Sequence, residues 1–228
     1  MSSRREALIG RFRAMAVDRL VRVREGLERA RRAPTPEALT EALGELPAEA
    51  SGKRVRFVLE ASGAQLERPV LEGLSEPLLH LLRNAIDHGV EPPEERGDKP
   101  AEATVRLSAE SSGASVTIAI EDDGRGLSAE GIRAAAVERG LLSADAAAAL
   151  SDERVHALIF EPGFSTSRGI SEISGRGVGL DVVRRRVDAL GGTVRVDSFE
   201  GAGTRFELVV PAAVTRERFI VVDVSGVL

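Results

Sequence analysis

The chain has 228 residues and a formal net charge of −5, with no excess of positive charge to hold nucleic acid. It contains no cysteine, which excludes disulfides and thiolate metal sites and points to a cytoplasmic setting. No apolar run reaches the roughly 18 residues of a membrane span, no secretory apolar segment opens the chain, and seven phenylalanines are its only aromatic residues, so aliphatic side chains must build the core.

Residues 1–46 read as two helices. Leu8, Phe12, Met15, Ala16, Leu20, Val23 and Leu27 follow a helical apolar stripe, and Pro34-Thr35-Pro36 breaks it. A second helix over 37–46 presents Leu39, Leu43 and Leu46. Residues 47–53 read as a linker. The period then changes to two: Val55, Phe57 and Leu59 mark a strand.

Residues 78–89 (LLHLLRNAIDHG) predict a helix with a divided surface. Ser75 is placed to cap it, Pro77 is tolerated in its first turn, and Gly89 with Pro92-Pro93 is placed to stop it. At about 100° per residue, His80, Asn84, Asp87 and His88 share one stripe, and the leucines, Ala85 and Ile86 fill the remaining arc. Such a helix is expected in a core, with its stripe facing a cavity. Residues 91–102 read as a charged, proline-bearing loop. Alternating strands over 104–109 and 115–120, separated by 110–114, signal a hairpin.

The second of these strands runs into Glu121-Asp122-Asp123-Gly124-Arg125-Gly126-Leu127. A carboxylate at a strand end can accept from an amino group such as that of adenine, and glycines let a flat ring approach. A plain acidic turn fits this stretch alone equally well. Ser128 caps a helix through 139, and short helices follow over 144–150 and 152–160. Residues 161–174 have little apolar period, as in a lid. Ser174-Gly175-Arg176-Gly177-Val178-Gly179 then opens a helix over 182–190, an arrangement that suits phosphate. It is not a Rossmann fingerprint, because no clean strand precedes it. Strands over 193–198 and 204–210 flank the turn 200–203, and 218–224 is a further β-rich run.

The order of these motifs resembles the ATP-binding domain of the GHKL superfamily, and within it the CheA-type chemotaxis histidine kinases. HLLRNAIDHGVEPPEER (80–96) resembles the N box, EDDGRGL (121–127) the G1 box, FEPGFSTS (160–167) the F-box region, SGRGVGLDVVRRRV (174–187) the G2 box and GAGTRFELVVP (201–211) the final strand motif. The resemblance implies an α+β fold: a two-layer α/β sandwich of the Bergerat type, with a mixed sheet, helices on one face and an ATP lid. It implies that Asn84 ligates Mg²⁺ and that Asp122 accepts from adenine in a pocket shaped by Gly124 and Gly126. Ser165, Thr166, Gly175, Gly177, Val178 and Gly179 would close around the nucleotide, and Thr204 would support the water network at the base. His80, Asp87 and His88 would line the phosphate side.

By the same resemblance, residues 1–46 are similar to the start of a histidine-phosphotransfer domain, 54–213 is the catalytic domain, and 214–228 is similar to the start of a CheW-like regulatory domain. None of His80, His88 and His156 lies in the acceptor setting of such kinases, and the usual dimerisation helices are not recognisable. The expectation is a shortened chain that phosphorylates a phosphotransfer domain in trans, with a CheW-like adaptor and a response regulator as further partners and neither nucleic-acid binding nor membrane insertion. Two other readings stay open: a nucleotide-binding, non-catalytic signalling adaptor, and another GHKL ATPase or kinase.

Overall fold

The computed structural model describes residues 52–62, 64–164 and 179–213. The helices expected in 1–46, residues 165–178 of the expected lid and glycine loop, and the run 218–224 lie outside the described residues. Five strands form one sheet: β1 (Arg54–Ser62), β2 (Glu102–Ser112), β3 (Ser115–Asp122), β4 (Thr193–Phe199) and β5 (Gly203–Pro211), in the order β1-β2-β3-β5-β4. β1 and β2 run parallel and the other pairs antiparallel, which makes the expected mixed sheet. The parallel pair requires a crossover, and α1 (Arg68–Asn84) supplies it. The other α-helices among the described residues are α2 (Ala129–Glu138), α3 (Ala144–Ala149), α4 (Asp152–Ala157) and α5 (Leu180–Ala189). Among the described residues no helix is long and apolar enough to cross a membrane.

Strand alternation sorts the two faces. Val116, Ile118 and Ile120 of β3 pair with Val210, Leu208 and Phe206 of β5, and all six are buried. The opposite face is charged. There Glu121 meets Arg205, and Arg106 lies 3.1 Å from Glu60. The apolar face packs against α1, whose Leu74, Leu78, Leu81 and Leu82 are buried at helical spacing. α5 lies beside α1, so close that a Cβ on Gly73 would come within 2.9 Å of Leu190.

The sequence misplaces the start of α1. It begins at Arg68, well before the start expected just after Ser75, with a proline in its first turn. Ser75 is inside it, and its hydroxyl donates to the Leu71 carbonyl at 2.8 Å instead of capping. Pro77 lies mid-helix and buried. Burial of Val70 and Leu74 stabilises the extra turns by more than proline removes, since each fully buried side chain contributes about 1.5–3 kcal/mol. The β2–β3 hairpin is also tighter than expected: Ser112 pairs with Ser115, leaving Gly113-Ala114 as the turn. The caps Ser128, Ser143 and Ser151 accept from the N–H groups of Gly131, Ala146 and Arg154.

Candidate functional site

One register row crosses the sheet at the end where β3 stops. Asp122 pairs with Val105 of β2 and Thr204 of β5, and Thr204 pairs with Ser198 of β4. These positions continue the apolar face, so three polar side chains sit where the pattern would place core residues. Asp122 is only 9% exposed. Burial pushes its carboxyl up to about 6, against the pull of N–H bonds from Gly124 and Thr204, and the charges of Asp123 and Glu91 add to the rise. Ser198 is the hub of the row. Its hydroxyl accepts from Leu127 N–H at 2.8 Å, donates to the Gly203 carbonyl at 2.9 Å and lies 3.1 Å from Thr204 Oγ1.

The glycines around Asp122 are there for close approach. A Cβ on Gly124 would collide with the Gly89 carbonyl and lie 2.7 Å from Asp122 Oδ1. Gly126 takes φ 71° and abuts the Phe199 carbonyl, and Gly203 takes φ 115° against the Asp122 carbonyl. Gly89 is not in the left-handed region, so it is not the C-terminal cap that the sequence suggests. A side chain there would meet the Asp122 carboxylate, and the Gly89 carbonyl accepts from Arg125 N–H at 2.9 Å.

α1 ends at Asn84, and Ala85–Gly89 follows as a single π turn closed by Val90 N–H on the Ala85 carbonyl at 2.7 Å. This wider turn breaks the 100° spacing past Asn84. His80 and Asn84 remain on one half-buried face of α1, whereas Asp87 and His88 are exposed. Burial lowers the His80 pKa, and Arg83 and His88 add to the effect against Asp181 and Glu76. Asp181 lies in the first turn of α5, whose N-cap is Gly179, so His80 and the start of α5 are electrostatic neighbours. The π turn is thus the bridge of the site: it follows Asn84 at one end and touches Asp122 at the other. Lys53 secures it by donating to the Ile86 and Asp87 carbonyls, both at 2.8 Å.

The structure gathers Asp122, Gly124, Gly126 and Thr204 at the sheet end, and His80, Asn84 and Gly179 along α1 and α5. Ser165, Thr166, Gly175, Gly177 and Val178 lie outside the described residues. Two features escaped the sequence reading. Ser198 was legible as a polar residue at a core-facing strand position, in step with Val194 and Val196. The second lies in residues 91–102, read as a plain charged loop, which buries an ion network. Arg96 and Glu91 are 3% and 7% exposed, with Arg96 Nη1 donating to Glu91 Oε2 at 2.9 Å and Arg96 Nη2 lying 3.0 Å from Asp123 Oδ1. Burial alone would raise the Glu91 carboxyl, but the Lys99 hydrogen bond and the charges of Lys99 and Arg96 hold it below its usual range.

Chemically, a buried carboxylate beside backbone kept bare of side chains can accept from a flat, amino-bearing ring. A helix carrying an amide and a histidine borders it, and the start of α5 offers N–H groups to anions.

Comparison with known proteins agrees with this geometry. Residues 71–214 match the family model described as histidine kinase-, DNA gyrase B- and HSP90-like ATPase. The chemotaxis protein CheA of Rhizobium meliloti is 43% identical over 78% of this chain and 24% of its own length. CheA of Bacillus subtilis is 45% identical over 70% of this chain and 24% of its own. The chain therefore spans about a quarter of the length of these relatives. The histidine kinase domain of the Erythrobacter litoralis EL346 blue-light activated histidine kinase shares the fold, with a TM-score of 0.51 at 15% identity over 86% of this chain and 75% of that one. A mixed sheet with its helices on the apolar face, a buried acid at the strand end and a match over 71–214 place this chain in the histidine kinase-, DNA gyrase B- and HSP90-like ATPase family, as an ATP-binding domain similar to that of CheA.

Proposed function

We propose that this chain is the catalytic unit of a cytoplasmic, chemotaxis-type histidine kinase that moves the γ-phosphoryl group of ATP to a histidine on a separate phosphotransfer domain. The observation that carries the reading is the bridge between Asn84 and Asp122: one π turn ties the two ends of the candidate site. Asp122 accepts from the adenine amino group, with Gly89 and Gly124 keeping the approach clear and Thr204 and Ser198 holding the polar row behind it. Asn84, His80 and His88 face the phosphates, and the start of α5 after Gly179 borders them.

The donor chemistry fits Mg²⁺. Asn84 offers a hard amide oxygen, and among the described residues no cluster of three or more His, Cys, Asp or Glu forms a protein cage. Mg²⁺ is typically held by one or two protein oxygens, with phosphates and water completing its shell. When bound, the ion neutralises phosphate charge. The bond between Pγ and the β,γ-bridging oxygen breaks, a Pγ–N bond forms to the acceptor imidazole, ADP leaves and the imidazole gives up its proton. His80 and His88 belong to the phosphate side and His156 is buried, so the acceptor is a histidine of another domain. A CheW-like adaptor and a response regulator are the further partners.

Incubation with γ-labelled ATP and an added phosphotransfer domain should label the added domain. Label on this chain alone overturns transfer in trans. Asn84→Ala should abolish the Mg²⁺-dependent part of ATP affinity, and unchanged affinity overturns the assignment of the metal.

A further inference from the structure

The buried network in the loop before β2 touches the candidate base site at one peptide bond. Lys99 Nζ donates to the Asp123 carbonyl at 3.0 Å, and the N–H on the other side of that peptide, from Gly124, donates to Asp122 Oδ1 at 3.0 Å. The 123–124 peptide is therefore gripped at both edges, by an ammonium on its oxygen and by the acid on its nitrogen. Lys99 also donates to the Gly124 carbonyl at 2.7 Å and to Glu91 Oε1 at 2.9 Å. Glu91 in turn takes Arg96 at 2.9 Å, and Arg96 meets the Asp123 side chain at 3.0 Å, which also accepts from Thr104 N–H at 3.0 Å.

We infer that Lys99 is a positioning residue for base selectivity, which sets the orientation of the Asp122 carboxylate through the 123–124 peptide. A cation on a peptide oxygen polarises the N–H of the same unit and strengthens the bond it donates. That bond fixes the rotation of the carboxylate and hence the direction of its remaining lone pairs. An acceptor held in one direction favours the amino group of adenine and repels the carbonyl that guanine presents at the same place. A loosely held acid turns away and discriminates less. Glu91 and Arg96 serve by keeping the Lys99 ammonium on target.

This inference rests on the reading of the sheet end as an adenine site, and its test separates the two. The dissociation constants of Mg·ATP and Mg·GTP are to be measured for the unaltered chain, Lys99→Met and Lys99→Arg, each with its thermal midpoint. Lys99→Met should weaken ATP about tenfold or more while GTP changes much less, so that the ATP-to-GTP preference falls, since hydrogen-bonded sites discriminate far more strongly than apolar ones. Lys99→Arg, which keeps a cation in place, should restore most of the preference. A variant that weakens both nucleotides by the same factor, or leaves the preference unchanged, overturns the inference. If Lys99→Met does not fold, Lys99→Gln carries the same comparison. Failure of the unaltered chain to prefer ATP overturns the adenine reading and this inference together.

Discussion

Gly89 and Asp122 meet across the gap between α1 and β3: a Cβ on Gly89 would stand 3.0 Å from one carboxylate oxygen of Asp122 and 3.1 Å from the other. Asp122 cannot retreat freely, because Gly124 N–H holds it. Gly89→Ala should therefore cost about 1–3 kcal/mol as overpacking, read from the urea midpoint, and weaken ATP by displacing the acid. Gly124→Ala should cost more, because its collision is with the Gly89 backbone carbonyl. An equal or smaller loss of stability in Gly124→Ala would refute this account of the pair.

The buried acid makes stability depend on pH. The folded state binds the Asp122 proton more tightly than the unfolded chain, whose carboxyl titrates near about 3.9. Stability contributed by this group is thus full below about 4 and is lost as pH rises through about 6. At neutral pH the ionised carboxylate destabilises the fold by about 2–3 kcal/mol. Asp122→Asn should raise the thermal midpoint at pH 7.5, with the advantage fading towards pH 4, while ATP binding is lost. In the unaltered chain, ATP affinity should fall as pH drops below about 6. A thermal midpoint of Asp122→Asn that does not exceed the original at pH 7.5 would contradict this.

Ser198 holds three partners from β5 and the loop after β3. Ser198→Ala leaves Leu127 N–H and the Gly203 carbonyl without their hydroxyl, at a cost of about 1–3 kcal/mol. Hydrogen exchange should then be faster at Leu127 than at Ile120, which stays in the β ladder. Equal protection of Leu127 in both proteins would show that the hydroxyl does not hold that loop.

Arg96 and Arg106 both pair with carboxylates, but only the first is buried. Arg96→Met strands part of the charge of Glu91 and Asp123 and should cost about 3 kcal/mol, at the low end for a buried pair because Lys99 and Thr104 N–H remain. Arg106→Met, on the exposed face, should cost no more than about 1 kcal/mol. Denaturant titration of the two variants decides it, and equal costs would refute the distinction.

Local pattern sufficed for much of this molecule. Strand alternation placed Phe57, Ile118 and Ile120, and the Ser128 cap placed the start of α2, because these are contests between neighbouring residues. Ser75 and Pro77 misled for the same reason. They are strong local signals for a helix start, and burial of Val70 and Leu74, a non-local gain, outweighed them. Asp122 was legible as a candidate only through the order of the motifs around it, since a plain acidic turn fits its own stretch equally well. Its burial, its raised pKa and its contact with Gly89 were not.

By itself the sequence determined the strand faces, the Ser128 cap, the glycine-flanked acid and the amide-bearing helix, since period and turn chemistry act over a few residues. Only the tertiary structure decided that α1 starts at Arg68, that a π turn follows Asn84 and leaves Asp87 and His88 exposed, and that Glu91, Arg96 and Lys99 close on the 123–124 peptide. These depend on which chain segments meet across α1 and the sheet. A charge looks the same in a sequence whether it ends in water or in an ion pair, and its partners are set by packing.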